Sequence, residues 1–239
     1  RLNRSAGGRS TGTAIVVAFC LDNMKSLRSD TLPEIIPIFP LPGVLLLPLA
    51  TLPLNIFEPR YLAMTRDALK GDWLIGMIQP KYHNKDSEVP DLYPVGCAGK
   101  IASFVETDDG RILISLRGIA RFKLLEETTL INGYRRARVH WDPFNTDIHT
   151  KDASKVDREQ LEVLLRKYFE MRKVDASWAA IERAPDAQLV ASLAMQCPFT
   201  LEEKQALLEA PALGDRANLI VSLLSMAITE DLNPDATLH

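Results

Sequence analysis

The stretch IFPLPGVLLLPLATLPLNIFEPRY, residues 38–61, is apolar enough to suggest a membrane span, yet its prolines exclude one. Proline has no backbone N–H and breaks a membrane-spanning helix. We therefore interpret the stretch as short buried strands, 44–47 and 52–57, preceded by the turn 40–43. Glu58-Pro59-Arg60-Tyr61 then changes the periodicity from strand to helix, because proline is favoured at the first helical position.

The surrounding sequence predicts more strands around this one early helix. The helix runs over 59–70 and ends at Gly71, which is a favourable C-cap. Thr107-Asp108-Asp109-Gly110 is a strong hairpin signal between two of the strands. The predicted strands are 34–39, 73–79, 95–106, 111–116, 121–126 and 134–141. Many short strands with one helix favour a small mixed β-barrel.

The pattern changes after Pro143. Residues 145–155 are polar and predict a linker, and apolar residues then recur at helical spacing. Asp186 and Asp215 are expected to cap helices, and Thr200-x-x-Glu203 is a capping box. The predicted organisation is a flexible N-terminal extension (1–31), a β-rich barrel (32–144), a linker (145–155) and a helical subdomain (156–232). We expect the helices to pack on the barrel, because one of them carries a large apolar face made of Leu161, Leu164, Leu165, Tyr168 and Phe169.

The order of these segments resembles the N-terminal substrate-binding domain of Lon proteases. Besides residues 38–61, the resemblance includes GMIQP (76–80), YPVGCAGKI (93–101), DGRILISLRG (109–118), ARF (120–122) and LEEKQALLE (201–209). It covers about residues 32–230. The resemblance implies an α+β fold: a PUA-like mixed β-barrel followed by a helical bundle subdomain.

Composition is that of an ordinary globular protein, with 46% hydrophobic and 25% charged residues and a net charge of −3. Such a charge gives no general attraction to nucleic acid or anionic membranes. Cys20, Cys97 and Cys197 are widely spaced and odd in number, which favours a reducing cytoplasm. The apolar run 14–21 leaves a secretory signal open as an alternative. We prefer to interpret the residues before Met24 as an extension outside the fold.

Motifs for catalysis are missing from these 239 residues. They contain no G-x-x-x-x-G-K-[ST] phosphate loop and no recognisable serine–lysine nucleophile, so we expect no enzymatic activity. We also expect neither a cofactor nor a bound metal. The histidines have no partners at ligand spacing, and the cysteines form no C-x-x-C pair. Cys97, between Gly96 and Ala98, is predicted to be a small core residue.

The resemblance implies non-catalytic recognition of unfolded or degron-bearing polypeptides. The expected partners are unfolded or hydrophobic polypeptide segments, with an ATP-dependent protease as a further candidate. Two places are implied as the binding site: the corner after strand 52–57, with Arg60 and Tyr61, and the polar loop 80–94, with Lys81, Tyr82 and His83.

Two rival functions remain open from the sequence. One is an RNA-binding PUA-like barrel, and the other is an adaptor that docks onto a separate ATP-dependent protease. The basic cluster of Arg135, Arg136 and Arg138 is the feature that would bind RNA. We predict instead a solvated strand edge, where charges prevent edge-to-edge pairing. Binding of nucleic acid or of a membrane is therefore not expected.

Overall fold

The computed structural model describes residues 32–81, 90–149 and 155–232. The strands are β1 (Ile35–Pro40), β2 (Thr51–Ile56), β3 (Leu74–Ile78), β4 (Pro80–Lys81), β5 (Asp91–Leu92), β6 (Val95–Glu106), β7 (Ile112–Ile131) and β8 (Tyr134–His140). The helices are α1 (Pro59–Lys70), α2 (Thr146–His149), α3 (Arg158–Arg172), α4 (Trp178–Arg183), α5 (Asp186–Gln196), α6 (Leu201–Glu209) and α7 (Leu213–Leu232). The predicted extension 1–31 lies outside the described residues.

The main sheet is mixed and curls into a nearly closed ring. Its strand order is β2-β7-β6-β3-β1-β8, and β8 also pairs with β7. Five strands therefore surround the barrel interior, and β2 is attached outside the ring along β7. β1 and β3 run parallel, which requires a crossover connection. The chain supplies it with residues 41–50, β2 and α1.

The prediction of two strands at 111–116 and 121–126 is wrong, because both belong to the 20-residue strand β7. The first part of β7 pairs with β2 and β6, and its last part pairs with β8. Register shifts against β6, one of them between Ala98 and Gly99, bend the strand as it passes from one set of partners to the other. Gly118 interrupts the apolar alternation at the bend, which is why the sequence suggested a break there.

The prediction of a strand at 44–47 is also wrong, because these residues form no strand in the structure. Leu45, Leu46 and Leu47 are nevertheless fully buried. The segment crosses β7 closely: a Cβ on Gly118 would lie 2.0 Å from the carbonyl oxygen of Leu47. The backbone of Gly118 provides hydrogen-bond partners for the crossing segment. Its carbonyl accepts from the Leu49 N–H at 3.0 Å, and its N–H donates to the Ala50 carbonyl at 2.9 Å. A buried apolar run can thus be irregular when a neighbouring strand provides its hydrogen bonds.

Helices occupy the chain after residue 158, and they pack on the barrel as predicted. Met64 of α1, Leu116 of β7, Leu165 of α3 and Leu224 of α7 belong to one buried apolar cluster. The capping box of Thr200 and Glu203 is present at the start of α6. Four local expectations change. Pro185 rather than Asp186 is the N-cap of α5, and Asp215 lies in the first turn of α7 rather than at its N-cap. The short helix α4 was not predicted, and the predicted linker begins with α2. The domain boundaries themselves stay predictions.

Candidate functional site

Helix α1 is the element on which the first predicted site depends. Pro59 begins the helix, and Tyr61, Met64, Thr65 and Ala68 form its buried face. The 3.6-residue period therefore turns Arg60 and Asp67 to the borders of that face. The helix packs against β1, β3 and β8, so it covers one side of the barrel.

Arg60 and Tyr61 lie together at the start of α1 but have different surroundings. Tyr61 is only 7% exposed, and its ring centroid lies 4.1 Å from that of Phe39. Arg60 is exposed, places its guanidinium carbon 4.6 Å from the Tyr61 ring centroid, and forms a 2.8 Å ion pair with Glu58. The geometry makes Tyr61 a core aromatic residue and leaves Arg60 as the accessible member. A binding role for either residue stays a prediction.

The second predicted site is only partly described. Lys81 is half-buried, and its ammonium lies 5.4 Å from the centroid of the Tyr93 ring. Tyr82 and His83 belong to residues 82–89, which lie outside the described residues. The two ends of the loop are joined as the ribbon β4–β5. Arg135 of β8 donates to the Pro90 carbonyl at 3.0 Å, so the loop end is tied to the predicted basic cluster.

The basic cluster is not on a sheet edge, which corrects the expectation of a solvated edge strand. β8 pairs with β1 on one side and with β7 on the other. Arg138 forms ion pairs with Glu34 at 3.1 Å and Glu126 at 2.9 Å, and Arg135 pairs with Glu127. The charges of both arginines are thus balanced within the protein. Arg136 has no ion-pair partner among the described residues.

A cleft of about 280 Å³ lies between the C-terminal end of α1 and the outer surface of β1 and β8. Arg136 lines it from the sheet side, and Asp67 and Asp72 line it from the helix side. The rest of the lining is mainly apolar or backbone: Pro33, Ile35, Ile36, Pro37, Ala68, Gly71, Leu74, Ile131 and Tyr134. Sequence reasoning missed this cleft, because its walls come from residues far apart in the chain.

Tyr134 connects the two charged sides of the cleft. Its hydroxyl donates to Asp67 at 3.1 Å, and Asn132 donates to the same carboxylate oxygen at 3.1 Å. Burial raises the pKa of Tyr134, the Asp67 carboxylate adds to the effect, and the nearby Arg136 charge opposes it. Asp67 is thereby held in place. Asp72 is exposed and forms no ion pair or hydrogen bond through its side chain with any other described residue.

The described cysteines and acidic residues form no group that could hold a metal ion. Cys97 is completely buried, as the sequence predicted for a core residue, and burial raises the pKa of its thiol. Burial also raises the pKa of Cys197 to about 11. Within the described ranges, we find no helix with the length and apolar character needed to cross a membrane.

The family comparison agrees with this architecture. Residues 35–226 match the sequence profile of the ATP-dependent protease La (LON) substrate-binding domain. A Lon protease of Anaeromyxobacter dehalogenans is 25% identical over 228 residues, covering 91% of this chain and 26% of the relative. Lon protease 2 of Myxococcus xanthus is 26% identical over 204 residues, covering 83% of this chain and 24% of the relative. The chain thus spans about a quarter of the length of these relatives.

Two solved structures share the fold. A Lon N-terminal domain protein from Xanthomonas campestris superposes with a TM-score of 0.55 and 25% identity, covering 79% of this chain and 97% of the other. The N-terminal domain of a Mycobacterium avium complex Lon protease gives a TM-score of 0.56 at 15% identity, covering 80% and 98%. The mixed sheet followed by helices is therefore a known arrangement.

Proposed function

This chain belongs to the family of Lon substrate-binding domains, and on that premise we propose that it binds polypeptides that are unfolded or carry a degradation signal. The match over residues 35–226 is the observation that carries the proposal. Binding would be non-catalytic within these 239 residues, whose sequence contains no phosphate-loop motif. We further propose a cytoplasmic setting, which suits the buried free thiols of Cys97 and Cys197.

Burial of apolar side chains supplies the physical basis for binding loose polypeptides. The side of the barrel covered by α1 offers such a surface: Ile131 lines the cleft, and Leu130 beside it is 60% exposed. Arg60 lies at the other end of the same helix. We therefore propose that the binding surface runs along α1, from Arg60 to the cleft. As the resemblance implies, we also propose that the loop beginning at Pro80 contacts the client.

RNA binding is the weaker alternative. A strand that binds phosphates needs unpaired cations, whereas Arg135 and Arg138 are already paired with glutamates.

The adaptor alternative concerns the protein partner rather than the ligand. It predicts capture of an ATP-dependent protease together with little affinity for generic unfolded chains.

Hydrogen exchange with a permanently unfolded client, reduced and carboxymethylated α-lactalbumin, tests the proposal. We expect protection of amides in α1 around Arg60 and in residues 81–91, and no protection in residues 138–140 of β8, which lie outside the cleft. Residues 134–137 are left out of the comparison, because Tyr134 and Arg136 line the cleft and Arg135 is bonded to Pro90. Protection of the β8 arginine segment by single-stranded RNA, without protection by the client, would overturn the proposal in favour of RNA.

A further inference from the structure

We propose that the cleft between α1 and β8 recognises the main chain of an extended, uncharged apolar segment of a client. Arg136 would donate to its carbonyl groups, and Asp72 would accept from its N–H groups. The inference rests on the proposed function and adds the place and the chemistry of recognition. It concerns the part of the cleft that the described residues form.

The cleft carries three charged side chains, and two of them have no partner among the described residues. Arg136 and Asp72 both line it but do not pair with each other or with other described residues. Asp67, the third charge, is already bonded to Tyr134 and Asn132. One guanidinium and one carboxylate thus remain to bind an occupant, on the sheet side and on the helix side respectively.

A peptide main chain can satisfy both Arg136 and Asp72 at once. An arginine only donates hydrogen bonds, and an ionised aspartate only accepts them. A peptide main chain carries both donors and acceptors at every non-proline residue. A lone carboxylate ligand would satisfy Arg136 but would be repelled by Asp67 and Asp72. A lone cation would be attracted by both carboxylates but would be repelled by Arg136 and would leave the Arg136 donors without an acceptor. A neutral main chain meets neither repulsion.

Apolar side chains form much of the remaining lining of the cleft. Ile35 and Pro37 are half-buried on the outer surface of β1, and Ile131 is 37% exposed. An extended chain turns successive side chains to opposite sides, so alternate apolar side chains would contact this lining. Such contacts favour apolar residues of several shapes, and the main-chain hydrogen bonds do not depend on residue identity. The apolar contacts and the main-chain hydrogen bonds together would let the cleft bind segments of many different sequences.

The probe is a short acetylated and amidated peptide of alternating leucine and glutamine, measured by calorimetry with the whole chain. We expect it to bind, and we expect Arg136→Ala and Asp72→Ala each to weaken binding about tenfold, which is the effect of losing one hydrogen bond to a charged group. Arg138→Ala and Asp108→Ala are the matched controls, because both residues lie outside the cleft, and they should leave the affinity unchanged. Thermal unfolding of each variant shows whether the fold is retained.

A second peptide, N-methylated at alternate residues, removes main-chain donors without changing the side chains, and it should bind at least tenfold more weakly. Equal binding of this peptide, unchanged binding by both cleft variants, or a requirement for lysine or glutamate in the peptide would overturn the inference. So would binding of the unfolded client without binding of the capped peptide. In all these cases the proposed function survives if the client still binds; it fails only if wild-type protein binds no client.

Discussion

Arg121 and Asp147 form a bidentate ion pair in the interior, with both nitrogen–oxygen distances at 2.8 Å. Their side chains are 3% and 10% exposed. Arg121 comes from β7 of the barrel, and Asp147 comes from α2 in the predicted linker. The same guanidinium donates to the carbonyls of Leu208 at 3.1 Å and Ala210 at 2.7 Å, at the end of α6. One side chain thus joins the barrel, the linker and the helices.

Loss of either partner of this pair should be severe. We expect Asp147→Ala to lower the free energy of unfolding by about 3–5 kcal/mol, because the Arg121 charge stays buried without its counter-ion. The control is Arg66→Ala, which breaks an exposed 2.8 Å pair with Glu106 and should cost less than about 1 kcal/mol. Urea unfolding measures the free energy of unfolding of both variants. Similar decreases in the two variants would show that burial of the ion pair does not determine how much its loss destabilises the protein.

A glycine in β7 is required by close packing. In Gly118→Ala the new Cβ would lie 2.0 Å from the Leu47 carbonyl oxygen, so the crossing segment must move, and we expect a loss of about 1–3 kcal/mol. At Gly71 an added Cβ would find no atom nearer than 3.8 Å. Gly71→Ala should therefore unfold at nearly the wild-type urea concentration. An unchanged midpoint for Gly118→Ala would contradict the close crossing.

The interface between helices and barrel can be tested at Leu165, which is fully buried in the cluster shared with the strands. We expect Leu165→Ala to cost about 2–5 kcal/mol, because it leaves a cavity. Val163→Ala on the same helix, where the side chain is 49% exposed, is the matched control and should cost far less. Because the core is shared, far- and near-ultraviolet circular dichroism should report one unfolding transition. Two separate transitions would indicate that the predicted subdomains unfold independently.

The stability of the protein should depend on pH through Cys197. Its pKa is about 11 in the folded protein against an ordinary value of 9.0, so between these values the unfolded chain releases a proton that the folded chain retains. The contribution of this thiol to the free energy of unfolding is fully present below pH 9 and is lost as the pH rises towards 11. Cys197→Ala should make the free energy of unfolding less steep in this window than it is in the wild type. Parallel curves would exclude the thiol as the source.

The sequence predicted the elements whose cause is local. The hairpin 107–110, the Pro59 start of α1 and the capping box of Thr200 and Glu203 depend on residues a few positions apart, and all are present. The apolar face of α3 was visible for the same reason, because helical spacing turns its members to one side. The errors at 44–47 and along β7 have one origin. Both depend on the close crossing at Gly118, a contact between distant segments.

The candidate site likewise has features that the sequence indicated and features that only the tertiary structure determines. The family resemblance implied Arg60 and Tyr61 as site residues, and the strand-to-helix change in consecutive residues predicted only their position at the start of α1. Closure of the ring could not be read from the sequence. That closure places β8 between β1 and β7, pairs Arg135 and Arg138 with glutamates, and leaves Arg136 facing Asp67 and Asp72 across the cleft. Local periodicity determines which side of a strand or helix a residue occupies, whereas the partner it meets there depends on how the strands pair, and only the tertiary structure decides that.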